Sequence, residues 1–279
     1  MKLLLWIVFG LILGPGLTDI SLPSWLADLS QLAGAIFLFF AGWELQFIDL
    51  RKEARFYGLV FLGSFVIPFA AGYFFFEGNL FISVALGISA LPVAIQILKE
   101  KNIYNTVLAR RTVTLASLCD IVAWMFLAFL LPEKDILSWL LSHWVVLAFF
   151  VGLLWGRWRP PPRHWMLPII QMWICAPIFF IVLGWKINIL HLFSWKTFGW
   201  IFGVAVLSKV LGTYVFARIA GQKHAEAFNL SFLLNARGAM EILAASYAYN
   251  AQLISGDVFA ALVLLGLVTA LMAIPTVKE

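Results

Sequence analysis

Charge is what this sequence has least of. Only 12% of its 279 residues are Asp, Glu, Lys or Arg and 63% are apolar, whereas an ordinary soluble domain is about a quarter charged and about 45 to 50% apolar. No water-soluble core hides that much apolar surface, so a soluble globular fold is excluded. Cysteine is scarce as well. Cys119 and Cys175 fall inside separate apolar runs, which argues against a disulfide framework. The four histidines, His143, His164, His191 and His224, stand at run ends or in loops without metal-ligand spacing. No phosphate-binding Gly-rich loop, nucleophile elbow or zinc-binding helix occurs, and the polar residues are too scattered for a catalytic constellation, so no enzyme is expected. Connections no longer than about 13 residues leave no room for a soluble module or a nucleic-acid-binding domain.

What is present is a series of apolar runs of about 17 to 25 residues, the length a helix needs to cross about 30 Å of hydrocarbon. Ten are readable, near 2 to 17, 28 to 44, 55 to 76, 79 to 98, 107 to 131, 137 to 156, 164 to 186, 195 to 218, 226 to 249 and 257 to 276. The fold class expected is therefore an all-α polytopic membrane protein of about ten transmembrane helices, with residues 1–279 as one membrane domain. The first run is read as a spanning helix rather than a signal peptide, because small residues in an A-x-A pattern do not follow Leu17.

Lys and Arg divide unevenly between alternate loops. One side takes Lys2, Arg51, Lys52, Arg55, Lys99, Lys101, Arg110, Arg111, Arg157, Arg159, Arg163, Arg218, Lys223 and Lys278, and the other takes Lys134, Lys186 and Lys196. Positive residues favour the cytoplasmic side, so both termini are expected there, in what reads as a bacterial inner membrane. The net charge of +5 then reflects topology and attraction to anionic headgroups, and no nucleic-acid partner is needed. Lys209 and Arg237 remain inside spanning runs, where a charge has to face a partner or a cavity.

Sliding the sequence on itself by 142 residues pairs the first five runs with the last five. Gly10 and Gly14 meet Gly152 and Gly156, and Gly42 and Trp43 meet Gly184 and Trp185. Three residues further in offset, AIQIL at 94–98 faces AMEIL at 239–243. Five helices is an odd number, so the second half (about 133–279) enters from the opposite side to the first (about 1–132) and the repeats are inverted. That architecture is typical of secondary transporters, whose sites lie where interrupted helices from the two halves meet. The fourth and ninth runs are the candidates. In the fourth, Pro92 of GISALPVAIQ removes a backbone donor and disfavours helix at Leu91. In the ninth, LLNARGAMEIL gathers Asn235, Arg237, Gly238 and Glu241.

Asp120, in LASLCDIVAWM, lies deep in its run. Desolvation favours the protonated form of a carboxylic acid and a nearby cation favours the ionised form, so a carboxylate poised between the two binds a proton or a metal cation in turn. The blander readings are that Asp120 ion-pairs with Lys209 or caps a broken helix. Lys209 of VLSKVLG is either the counter-charge to Asp120 or a lysine snorkelling from a shifted helix. Arg237 and Glu241, four apart, suit a structural ion pair if the helix is intact there. Ser89 and Asn235 offer oxygen ligands to sodium or potassium. Thr112, Thr114 and Ser117 offer them too, although membrane hydroxyls more often bond their own backbone.

With these residues in hand, the chain resembles the monovalent cation:proton antiporters, the group of Kef-type and bacterial sodium/proton exchangers and the plant cation/proton exchangers. The likeness rests on GLILGPGL, FLFFAGWELQ, ALGISALPVAIQILKEKNIYNTVLARR, CDIVAWMFLA, IFFIVLGWKINI, VLSKVLG and NARGAMEIL, in that order. It implies that Asp120 is the site for the proton and for Na+ or K+, that Lys209 is its basic partner, and that the stretches around Pro92 and Arg237 are crossed, unwound helices. It implies no cofactor beyond the transported ions. Cys119 stands where the family usually carries Asp or Asn, which leaves one evident carboxylate and favours electroneutral exchange. Relatives commonly have twelve or thirteen helices, so this chain is expected to lack the usual first helix and a pair between the Asp120 run and GLLWGR. That pair helps relatives dimerise, so a homodimer or association with another membrane subunit stays open. Cation:proton exchange is the first reading. An ion-coupled symporter of a small organic solute and a non-transporting membrane sensor or subunit are the alternatives.

Overall fold

The computed structural model describes residues 2–14, 22–44, 53–130, 144–159, 170–185 and 192–277. Arg51, Lys52, Lys134, Arg163, Lys186, Lys278, His143, His164 and His191 lie outside the described residues. The regular structure among the described residues is helical, and no strand occurs there.

Two compact units emerge, each assembled from two stretches of chain. Met1–Phe47 with Pro132–Leu192 makes one, and Ile48–Leu131 with Phe193–Glu279 makes the other.

The first unit holds α1 (Lys2–Leu13), α2 (Ser24–Glu44), α7 (Trp144–Trp158) and α8 (Ala176–Trp185), the last preceded by a π-helical stretch, Ile170–Cys175. Its packing relies on glycine at the closest approaches. Gly10 of α1 sits against the backbone carbonyl of Ile181 in α8, and Gly152 of α7 against that of Phe39 in α2, leaving no room for a Cβ at either. The two contacts are reciprocal under the 142-residue offset, which carries Gly10 to Gly152 and Phe39 to Ile181.

The second unit contains α3 (Ala54–Phe75), α4 (Leu80–Gly87), α5 (Leu91–Glu100), α6 (Val107–Leu130), α9 (Trp195–Ile219), α10 (His224–Asn235), α11 (Ala239–Asn250) and α12 (Gly256–Thr276). Local chemistry sets several of these limits. The Asn79 side chain accepts from Ile82 N to start α4, Ser194 does the same for Thr197 N at α9, and Gly221, at φ 87°, closes α9.

The fourth and ninth runs are each interrupted. Residues 88–90 separate α4 from α5 and residues 236–238 separate α10 from α11. Leu91, expected to be pushed out of helix by the proline after it, is the first residue of α5. The interruption comes just before it and Pro92 falls in the first turn, where a missing N–H deprives the helix of nothing.

In α9 the usual amphipathic order is reversed. Leu207, Leu211, Val215 and Ile219 form an exposed apolar stripe at four-residue spacing, while Lys209, Gly212 and Thr213 are buried. Only an apolar surrounding rewards that arrangement. Among the described residues α3, α9 and α12 are both long and apolar enough to cross a membrane.

Candidate functional site

The site is built on the second unit, where the two helix interruptions touch. Ala90 N donates to Ala236 O at 2.8 Å, and the Ser89 hydroxyl donates to Leu234 O at 2.9 Å. Each break thereby satisfies backbone groups that the other exposes, which matters because an unpaired peptide group in hydrocarbon costs several kcal/mol.

A helix end leaves its last carbonyls without partners and carries partial negative charge. At the end of α4 two cations answer both needs. Arg237 Nη1 donates to Ala85 O at 2.8 Å and Nη2 to Leu86 O at 2.7 Å. Lys209 Nζ donates to Gly87 O and to Ile88 O, both at 2.6 Å. Four consecutive carbonyls are thus held by two side chains that the sequence places 121 to 152 residues away. Lys209 does not snorkel: it is fully buried. Its ammonium serves the Gly87 and Ile88 carbonyls at the α4 end and makes no salt bridge with Asp120.

Arg237 also holds Glu241, with Nη1 to Oε1 at 2.9 Å and both side chains wholly buried. The pair forms although the helix is not intact there. Arg237 lies in the interruption and Glu241 in the first turn of α11, where an acid suits the positive end of the helix. Gly238 packs against Val93 and Ala90, bringing the second break directly onto the first.

Asp120 projects from α6 and is 1% exposed. Its Oδ1 accepts from Ser89 N at 3.4 Å, a long contact just ahead of the positive end of α5, and its Oδ2 has no hydrogen-bond partner. Asn235, the last residue of α10, is equally buried, and neither its amide oxygen nor its nitrogen is paired. Buried polar atoms without partners are uncommon and call for an explanation. A carboxylate oxygen and an amide oxygen are hard donors of the kind that hold alkali cations. Cys119, buried beside Asp120 in sequence, has its Sγ 3.6 Å from the hydroxyl of Ser64.

Not every candidate hydroxyl joins this set. Thr112, Thr114 and Ser117 bond the carbonyls of Leu108, Arg110 and Val113 on their own helix. Ser64, which the sequence reading missed, does come in. It lies in a π-helical stretch of α3, Leu62–Val66. The signal was Pro68, four residues on, which has no N–H for the Ser64 carbonyl and would press its ring against it in a regular helix.

Helices that expose leucine and bury lysine, joined to a fully buried cluster of two cations and two acids at paired helix breaks, define a helical integral membrane protein. The chain belongs to the sodium/hydrogen exchanger (transmembrane) family, whose sequence pattern matches residues 2–162 and 136–279. It is 24% identical to Cation/H(+) antiporter 18 of Arabidopsis thaliana over 361 positions, covering 97% of this chain and 45% of that protein. It is 23% identical to the Na(+)/H(+) antiporter NhaS4 of Synechocystis sp. over 365 positions, covering 98% and 89%. Both alignments are far longer than the chain, so these relatives carry segments that have no counterpart here. The chain spans about half the length of the Arabidopsis relatives. In fold it is similar to the sodium proton antiporter MjNhaP1 of Methanocaldococcus jannaschii, with a TM-score of 0.61 over 98% of this chain and 89% of that one, at 14% identity.

Proposed function

We propose that this chain exchanges a monovalent cation, Na+ or K+, for protons across a bacterial inner membrane by alternating access, with Asp120 as the carboxylate the two ions share in turn. The observation that carries the reading is the free Oδ2 of the fully buried Asp120, whose Oδ1 meets Ser89 N at the first helix interruption, together with the unpaired amide of Asn235 at the end of α10, where the second interruption begins. The family's exchangers and the antiporter names of its relatives support it.

In this scheme the ionised carboxylate takes a dehydrated cation, with Asn235 and Ser89 lending oxygens. A proton arriving from the other side displaces the cation by neutralising the charge that held it. Lys209 and Arg237 keep the α4 end neutralised throughout. Cation on carboxylate and proton on carboxylate give the cluster the same net charge, so one-for-one, electroneutral exchange follows.

Ten spans in two inverted halves, with both termini cytoplasmic, remain the proposed topology. The reciprocal Gly10–Ile181 and Gly152–Phe39 contacts and the two breaks in corresponding runs support it.

The test is proton flux in proteoliposomes under sodium, potassium and lithium gradients, comparing the parent with Asp120→Asn. Cation-driven proton movement in the parent and none in the variant is expected. Equal flux in both removes Asp120 from the mechanism, and flux that needs an added organic solute replaces exchange by symport.

A further inference from the structure

We propose that Ser64 is a cation-binding residue of this site, its hydroxyl supplying the side-chain oxygen that Cys119 cannot. The inference rests on the exchange reading above, since it assigns a ligand to the same site. It begins from a difference among hydroxyls. In hydrocarbon, Ser and Thr ordinarily satisfy themselves on a carbonyl of their own helix. Thr112, Thr114, Ser117 and Thr269 all do so. Ser64 is fully buried and turns instead to the Cys119 sulfur, a partner 55 residues away. A thiol is a weak donor and a weak acceptor, so it holds the hydroxyl loosely and gives it up at little cost.

The backbone is arranged to deliver that hydroxyl. Within the π-helical stretch three successive residues of α3 address three different neighbours. Gly63 lies against the backbone of Gly212 in α9, three residues from Lys209. Ser64 meets Cys119 of α6. Phe65 lays its ring over Gly87, whose carbonyl receives Lys209. Helical winding wider than α sets these three directions, and such bulges occur frequently at functional sites. Asp120 follows Cys119, about 3.8 Å along the backbone.

The chemistry of the pair then assigns the roles. Sulfur is a soft ligand and a poor one for sodium or potassium, whereas a hydroxyl oxygen is a hard donor. With the thiol neutral, the Ser64 side of the site adds an oxygen and no charge. Ser64 should therefore set how tightly the cation is held while leaving proton binding to Asp120.

The experiment uses the full chain, reading both the half-saturating cation concentration for proton flux and the rise in thermal midpoint of purified protein on adding Na+ or K+. Loss of one neutral ligand predicts that Ser64→Ala raises half-saturation about three- to tenfold, with maximal flux changed less than about twofold. Ser64→Thr and Ser64→Val have nearly the same volume and differ in the hydroxyl, so Thr should keep the parent's affinity and Val should lose it even if Ala perturbs folding. Cys119→Asn restores an amide oxygen beside Asp120 and should blunt the effect of Ser64→Ala. Equal affinity in the Thr and Val variants overturns the proposal. Flux that Asp120→Asn abolishes and Ser64 variants leave alone sinks this inference and keeps the exchange reading. Cation stabilisation that depends on Ser64 in a chain without exchange does the reverse, and absence of both flux and stabilisation sinks the two together.

Discussion

The ammonium of Lys209 donates to the carbonyl of Gly87 at 2.6 Å, so the buried lysine holds the end of a broken helix instead of pairing with an acid. Replacing it by methionine fills similar space but strands two carbonyls, Gly87 and Ile88, in an apolar surrounding. Each stranded group costs about 1 to 3 kcal/mol. Lys209→Met should accordingly lower the thermal midpoint in detergent far more than Lys209→Arg, which keeps donors for both carbonyls.

Arg237 serves three acceptors, Ala85 O, Leu86 O and Glu241. Arg237→Met leaves a buried carboxylate uncompensated, a loss of about 3 to 5 kcal/mol. The double variant Arg237→Met, Glu241→Leu should be less damaged than the sum of the two single ones. A double-mutant cycle on unfolding free energy measures the coupling, and strict additivity would deny that the pair acts as a unit.

Gly63 and Gly212 touch backbone to backbone, and a Cβ on either would collide with the other's carbonyl. Overpacking of this kind costs about 1 to 3 kcal/mol. Gly63→Ala should therefore destabilise the protein, whereas Gly58→Ala on the same helix, with open space around it, should be neutral or mildly stabilising. Thermal unfolding of the two variants side by side provides the check.

Glu53 grips Arg111 through two hydrogen bonds of 2.8 and 3.0 Å, with Arg111 also reaching Gln222 and lying over the Phe56 ring. The Arg111 hydrogen bond holds the Glu53 carboxyl below its ordinary 4.5. A depressed carboxylate contributes its stability above the unfolded value and loses it as pH falls through the folded one. The difference in thermal midpoint between parent and Glu53→Gln should thus be constant near neutrality and shrink as pH drops below about 4.5. A difference that grows on acidification would contradict this.

Apolar run length and the spacing of polar residues along the chain were enough to mark it as helical and membrane-embedded and to point at the two interrupted runs. They also separated Asp120, Lys209 and Arg237 as charges that need partners, because hydropathy is a property of local sequence and a lone charge stands out against it. Who the partners are is a different kind of information. Lys209 finds Gly87, Arg237 finds Ala85 and Leu86, and Ser89 finds Leu234, each more than a hundred residues distant. Backbone carbonyls are present at every position and carry no mark in the sequence when they are about to lose a helical partner.

Ser64 shows the same limit from the other side. In FLGSFVIP only Pro68 interrupts an apolar run, and it is the winding of α3 ahead of it that turns the Ser64 hydroxyl toward Cys119. By itself, then, the sequence determined that the chain is helical, membrane-embedded and built around a few buried charges, since those follow from which side chains water would refuse. The tertiary structure alone decided which orphaned backbone groups those charges serve and that one oxygen of Asp120 is left free, because pairing depends on where distant helix ends meet in space.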